Sequence, residues 1–226
     1  MPHAAPGVHE KVLELCGSLR TGMVLDAPAG PGALARALAG EGWIVRAFDS
    51  NAAYASTIPD IPYTHGDLDA ALPFAAESFD CVTCVEGVEH IEDLYHLLRE
   101  CRRVLKAEGR LIVTTPNILC LASRVKYFLF GSYRYFDSRI NADRAGAAHI
   151  HPVSFPELEY ALRKTGFVIE RIETNRYLGA CRAVRAILTR LFRCGNTLLN
   201  RAYNPALCTE TLLFGEIVIV QARRYR

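Results

Sequence analysis

The sequence predicts an α/β protein built on a mostly parallel sheet with helices on both faces, and three observations predict it. Short apolar runs alternate with longer stretches of helical period. The run 23–25 ends in Asp26, passes through Gly30 and Gly32, and continues as an alanine- and leucine-rich stretch over 33–39. That succession of strand, glycine turn and helix presents bare backbone amides and a helix N-terminus to a ligand. Finally, acidic residues recur where the apolar runs stop.

Each element follows from local pattern. Residues 8–19 read as an amphipathic helix leading into the first strand. After the glycine turn and its helix, 43–48 is a second strand with Asp49 at its end. Tyr63, Thr64 and His65 make a short third strand that stops at Gly66-Asp67. Ser78-Phe79-Asp80 introduces a fourth over 81–85, which runs into Glu86. Leu94, Leu97, Leu98, Cys101 and Leu105 recur at helical spacing and predict a helix over 92–105. Residues 106–109 read as a turn, and 110–115 as a fifth strand halted by Pro116.

From 117 to 153 there is no clean period, and the stretch is rich in aromatics and arginine. It is expected to be an inserted lid or substrate region, partly helical over 122–130. Phe155-Pro156-Glu157-Leu158 starts a helix that ends near residue 164. A sixth strand follows over 167–173, then a second insert over 174–210 and a long seventh strand over 211–221. With no repeats and no low-complexity linker, residues 1–226 are expected to form a single domain. Its predicted architecture is a Rossmann-like, seven-stranded, mostly parallel sheet.

Composition narrows the class. Half of the 226 residues are hydrophobic and 22% are charged, as in ordinary globular proteins. A formal net charge of +2 is too small to argue by itself for nucleic acid, which is not the expected partner. No apolar run approaches the ~18 residues that cross a bilayer, and the start lacks the apolar core of a signal peptide, so a cytoplasmic location is expected. Of the eight cysteines, Cys81 and Cys84 alone form a C-x-x-C. In a strand those two positions face opposite sides, which predicts buried thiols rather than a shared metal.

The acidic residues choose the ligand. Asp26, Asp49, Asp67 and Glu86 fall at the ends of strands one to four. An open α/β sheet binds ligands outside those ends, where strand order reverses. Four carboxylates repel a diphosphate and suit a cation that also carries hydroxyls and amines. S-adenosylmethionine has that chemistry: a sulfonium, an ammonium, a ribose and an adenine. The pattern Gly30-Pro31-Gly32-Ala33-Leu34-Ala35 also fits the dinucleotide fingerprint, so an NAD-dependent oxidoreductase is the alternative enzyme class. A non-catalytic cofactor-binding scaffold is the alternative outside enzymes.

Four stretches, VLDAPAGPGALA, the FDS that ends at Ser50, GDLDAALPFAAESFDCVTCVEGVEHIED and LLRECRRVLKAEGRLIVTTPN, together resemble the class I S-adenosylmethionine-dependent methyltransferases. The resemblance runs from about residue 24 to 173. It implies that Asp26, Gly30 and Gly32 cradle the methionine end and that Asp49 accepts from the ribose hydroxyls. It also implies that Asp67 with the Leu68 amide holds the adenine edge, and that Glu86 meets cofactor or substrate. Ala27 and Ser50 belong to the same cofactor-binding set. Pro28 departs from the family's frequent glycine and removes an amide donor.

Glu86-Gly87-Val88-Glu89-His90 is E-x-x-E-H. On a helical turn, positions i, i+3 and i+4 share a face, so two carboxylates and an imidazole converge. That donor set suits Mg, Mn, Fe or Co better than structural zinc, with His149 or His151 as a fourth ligand and His151 the weaker of the two. The motif, Thr115-Pro116-Asn117, and His149 ahead of Ser154 are similar to the metal-dependent small-RNA 2′-O-methyltransferases. E-x-x-E-H is also similar to the ubiquinone-biosynthesis O-methyltransferases. The expected metal ligands are therefore Glu86, Glu89, His90 and His149, and the expected catalytic residues Glu89, His90 and His149. The bland alternatives are a helix cap at Glu89 and His90, or a metal-free base at His90.

Two stretches remain. Residues 125–139 interleave aromatics with basic residues, a pattern for stacking on bases or sugars, for lipid contact, or for lid packing. Within 180–203, Val184, Ile187, Leu188, Leu191 and Phe192 share a helical face flanked by Arg182, Arg185 and Arg193. Packing on the domain, a dimer contact and peripheral membrane contact all fit that face. The expected activity is O-methylation of a hydroxyl on a sugar, glycan, quinone precursor or similar small molecule. Small-RNA 3′-end methylation is the alternative acceptor, and oligomeric state is not legible.

Overall fold

The computed structural model describes residues 4–19, 21–136, 149–179, 181–199 and 208–225, and, within these, not the side chains of 195–199. Seven strands form one sheet in the order β3-β2-β1-β4-β5-β7-β6. They are β1 (Met23–Asp26), β2 (Ile44–Asp49), β3 (Tyr63–His65), β4 (Phe79–Val85), β5 (Leu105–Pro116), β6 (Phe167–Thr174) and β7 (Ile217–Arg224). The first five run parallel to their neighbours, while β7 lies antiparallel between β5 and β6. Strand order reverses between β1 and β4, which opens the crevice beyond Asp26 and Glu86.

Alternation along each strand feeds two apolar layers. Val24, Val45, Ala47 and Cys81 pack with α1 (Val8–Gly17) and α2 (Ala33–Gly40). Their neighbours Leu25, Phe48, Val82 and Cys84 pack with α3 (Leu94–Val104) and α5 (Phe155–Lys164) on the other face. Cys81 and Cys84 therefore are buried free thiols in opposite layers. Helix α3 begins where the Asp93 carboxylate accepts from the His96 amide, two residues later than its spacing predicted. Helix α5 opens on a capping box between Ser154 and Glu157.

Two expectations are corrected. The turn at 106–109 does not precede β5 but lies within it as a bulge: Phe79 pairs with Leu105 and Cys81 with Arg110, and Glu108 takes φ +62°. The seventh strand starts at Ile217, because 210–214 is a short helix, α7 (Glu210–Phe214). Thr209 caps it by accepting from the Leu212 amide at 3.2 Å, and the Asn117 side chain donates to the Leu212 and Gly215 carbonyls. Four apolar or β-branched residues in a row fit either element, and the cap decided for helix. The remaining helices are α4 (Leu121–Phe130) and α6 (Arg182–Leu199). Of the two predicted inserts, 137–148, 180 and 200–207 lie outside the described residues. Among the described residues no helix is long and apolar enough to cross a membrane.

Candidate active site

Strand β1 delivers Asp26 to the crevice with only 1% of its surface exposed. Thr83 on neighbouring β4 donates its hydroxyl to Asp26 Oδ1 at 2.8 Å, while Oδ2 has no partner. Burial pushes this carboxyl up to about 7, against the Thr83 hydrogen bond. An unpartnered buried acceptor is costly in isolation, and it fits an ammonium or another strong donor. At the end of β2, Asp49 Oδ2 accepts from the Gly30 amide at 2.8 Å and Oδ1 from the Asn51 amide at 3.0 Å. The second acid thus fixes the glycine turn of the first strand.

The two glycines differ in role. Gly30 has φ +52°, and a Cβ there would meet nothing within 4 Å. It borders the cavity and lets a ligand lie on bare backbone. Gly32 has φ +78°, and its Cβ would fall 2.2 Å from Ile58 Cγ2. Its absence from the cavity wall makes it a packing glycine. Gly32→Ala is expected to lower stability by about 1–3 kcal/mol through overpacking and left-handed strain. A melting curve checks this, and an unchanged midpoint contradicts it.

The crevice holds about 420 Å³. Asp26, Gly30, Asp49, Ser50, Asp67, Leu68 and Glu86 all line it, so the acidic strand ends do converge. Ala27 does not: its amide donates to the Thr83 carbonyl within the sheet. Pro28 borders the cavity and packs on Gly87, where a Cβ would fall 2.4 Å from its Cδ. The proline is thus accommodated by a glycine across the crevice.

The E-x-x-E-H segment is a short 3₁₀ turn over Val88–His90 rather than an α-helical turn. Glu86 precedes it in the left-handed region, φ +46°, and its Oε2 accepts from the Ala5 amide at 2.8 Å. It stands apart from the other ligand candidates. Glu89, His90 and His149 instead offer ligand atoms that all lie within 4.8 Å of one another. Backbone bonds bring His149 there, because the Ile150 and His151 amides both donate to the Glu89 carbonyl, at 2.9 and 3.1 Å. The His90 and His149 rings meet edge to face with centroids 4.7 Å apart. Neither carboxylate oxygen of the fully buried Glu89 has a partner, nor does His149 Nδ1. Burial pushes Glu89 up to about 8 and, with the nearby His90, pulls His149 below its ordinary value. One carboxylate and one imidazole nitrogen without partners, with the His90 imidazole beside them, fit a divalent cation. His151 pairs with Glu157 at 3.2 Å and stays out of the group.

Sequence reasoning missed part of the wall. Ala4, Ala5 and His9 close one part of the cavity, and Tyr54 and Tyr135 add aromatic surface. The turn pair Pro6-Gly7 was the available signal for the N-terminal strap. Tyr135 falls within the aromatic and basic stretch 125–139, which the sequence marked without singling out this residue.

Residues 25–113 match the family model described as a methyltransferase domain. A demethylmenaquinone methyltransferase of a Mycobacterium species is 37% identical over 124 residues, covering 51% of this chain and 54% of the relative. A ubiquinone biosynthesis O-methyltransferase of Paracidovorax citrulli is 35% identical over 104 residues, covering 42% and 43%. The chain thus spans about half the length of the curated relatives it matches. A crystal structure of a methyltransferase dependent on S-adenosylmethionine, from Archaeoglobus fulgidus, superposes with a TM-score of 0.65 at 18% identity. That alignment covers 96% of this chain and 93% of the other and shows the shared fold. Residues 25–113 thus carry a methyltransferase domain, and the chain shares the fold of methyltransferases that use S-adenosylmethionine. The glycine turn lies within the matched segment.

Proposed function

We propose that residues 1–226 act as one methyltransferase domain that transfers the methyl group of S-adenosylmethionine to a hydroxyl of a small-molecule diol. A quinone precursor is the acceptor we favour over sugars and glycans, since both curated relatives carry quinones in their names. One observation carries the reading. Glu89, His90 and His149 converge beside a cavity that the acidic strand ends also line.

Bound S-adenosylmethionine supplies an electrophilic methyl on sulfur, and a divalent cation held by Glu89, His90 and His149 supplies positive charge that lowers a nearby hydroxyl's pKa. Asp26 Oδ2 takes the donor at the methionine end, and Asp49 and Asp67 supply acceptors toward the ribose and adenine. Gly30 lets the ligand approach the backbone. The acceptor hydroxyl must lose its proton as its oxygen–carbon bond forms and the carbon–sulfur bond breaks. Without a cation on it, His149, held neutral by burial, is suited to take that proton. The cavity orients the two reactants, which is the larger gain in a simple displacement.

Peripheral attachment to an anionic bilayer is part of the same reading. Helix α6 exposes Val184, Ile187 and Leu191, and α4 exposes Phe128 and Phe130, on segments with basic but no acidic residues. Such faces bind lipid surfaces. Sedimentation with phosphatidylglycerol vesicles is expected to carry the protein down, and failure to do so removes this part alone. The main test is incubation with labelled methyl donor and catechol-type quinone precursors, with and without chelator. Labelled product that disappears on chelation supports the proposal. Label in no hydroxyl acceptor contradicts it, and indifference to chelator removes the cation.

A further inference from the structure

Glu216, the residue before β7, plays no direct part in the site and yet is built as a hub. It is 2% exposed, and its carboxylate accepts from four side chains. Tyr135 donates its hydroxyl to Oε1 at 2.6 Å, joined there by Arg176 Nη2 at 2.9 Å and Arg134 Nη2 at 3.4 Å. Arg176 Nε and Asn175 Nδ2 donate to Oε2 at 2.5 and 3.1 Å. The Arg176 guanidinium is the main reason this carboxyl is held down at about 2. A charge paired this fully stays ionised at any working pH.

The partners come from segments that wall the cavity. Tyr135 lines it directly, in a left-handed conformation with φ +70° that a tyrosine rarely adopts without outside constraint. Asn175 Nδ2 is shared: besides Glu216 it donates to the Pro6 carbonyl at 3.0 Å. Pro6 follows Ala5, whose amide is bonded to Glu86, and Ala4, Ala5 and His9 line the cavity. Glu216 is itself fixed by its backbone. Its amide donates to the Arg176 carbonyl and its carbonyl accepts from the Asn117 amide, each at 3.0 Å. One anion just before β7 therefore tethers the Tyr135 wall and, through Asn175, the segment ahead of α1.

Burying an ion pair adds little net stability compared with an apolar filling, so its retention points to geometric specification. We infer that Glu216 is a positioning residue: its buried carboxylate holds Tyr135 against the reaction cavity and, through Asn175, ties down the N-terminal strap that closes over the ligand. The inference rests on the proposed cofactor site but not on the identity of the acceptor.

Hydrogen exchange and ligand dissociation test it without any methyl transfer. In Glu216→Gln, amides of 4–9 and 133–136 are expected to exchange about tenfold faster or more, the loss of charge-assisted bonds, while β4 and β5 keep their protection. S-adenosylhomocysteine, used as the probe, is expected to dissociate about tenfold faster from the variant. Uniformly faster exchange that includes β4 and β5 would mean a merely structural residue and overturn the inference. Unchanged exchange in both walls also overturns it. Should Glu216→Gln not fold, Tyr135→Phe removes one donor and is expected to loosen 133–136 alone; no local change there has the same contrary meaning. Failure to methylate any hydroxyl acceptor would sink the proposed reaction and leave these readouts untouched.

Discussion

Replacing Glu89 by glutamine is expected to abolish most methyl transfer while leaving the fold intact. The side chain is fully buried, and neither carboxylate oxygen finds a partner. A group in that state costs stability, which is tolerated where function demands it. Glutamine keeps the volume and cannot ionise, so the melting temperature should hold or rise. Turnover should fall by about 10²- to 10⁴-fold, the range for loss of a positioned acid, base or metal-ligating group. Unchanged turnover would return Glu89 and His90 to the role of a helix cap.

The same carboxyl gives a pH signature. Its value in the folded chain is raised to about 8 by burial, above the ordinary 4.5. A raised acid contributes stability that is complete below the unfolded value and lost as pH climbs through the folded one. The metal-free protein is therefore expected to lose stability between about pH 5 and 8. Manganese should offset that loss in the wild type and not in Glu89→Gln, since a bound cation stabilises the form it binds. Melting curves across that window, with and without manganese, decide the matter.

Much of this arrangement is legible in the sequence where its causes are local. The first strand, its glycine turn and α2 follow from periodicity and from residues that permit positive φ, and the acidic strand ends follow from the same pattern. What escaped the sequence is carried by backbone contacts and long-range pairing, which leave no residue signature. The antiparallel seat of β7 between β5 and β6 is one example. Another is the double donation from 150 and 151 to the Glu89 carbonyl, which delivers His149 to its partners. Glu86 was expected among the ligands because an α-helical turn aligns i, i+3 and i+4. The chain instead takes a left-handed step at Glu86 and a tighter turn after it, and that carboxylate anchors the N-terminal strap.

The second large effect concerns Asp26. Its Oδ2 has no partner, and in the proposed reading it takes the cofactor's ammonium; the free carboxyl sits at about 7 because it is buried. A cationic ligand selects the ionised form, so binding below that value must expel a proton. Affinity should fall roughly tenfold for each pH unit below 7. Asp26→Asn is expected to weaken binding by about ten- to a hundredfold, the value of one charge-assisted hydrogen bond, and to flatten the pH dependence.

Calorimetric titration with S-adenosylmethionine and with NAD, at pH 6 and pH 7.5, reaches the heart of the account. A positively charged methyl carrier that binds more tightly at the higher pH, sheds a proton at the lower one and loses both traits in Asp26→Asn is the predicted outcome. Tight binding of the dinucleotide, or affinity for the methyl donor that ignores both pH and the substitution, would contradict it.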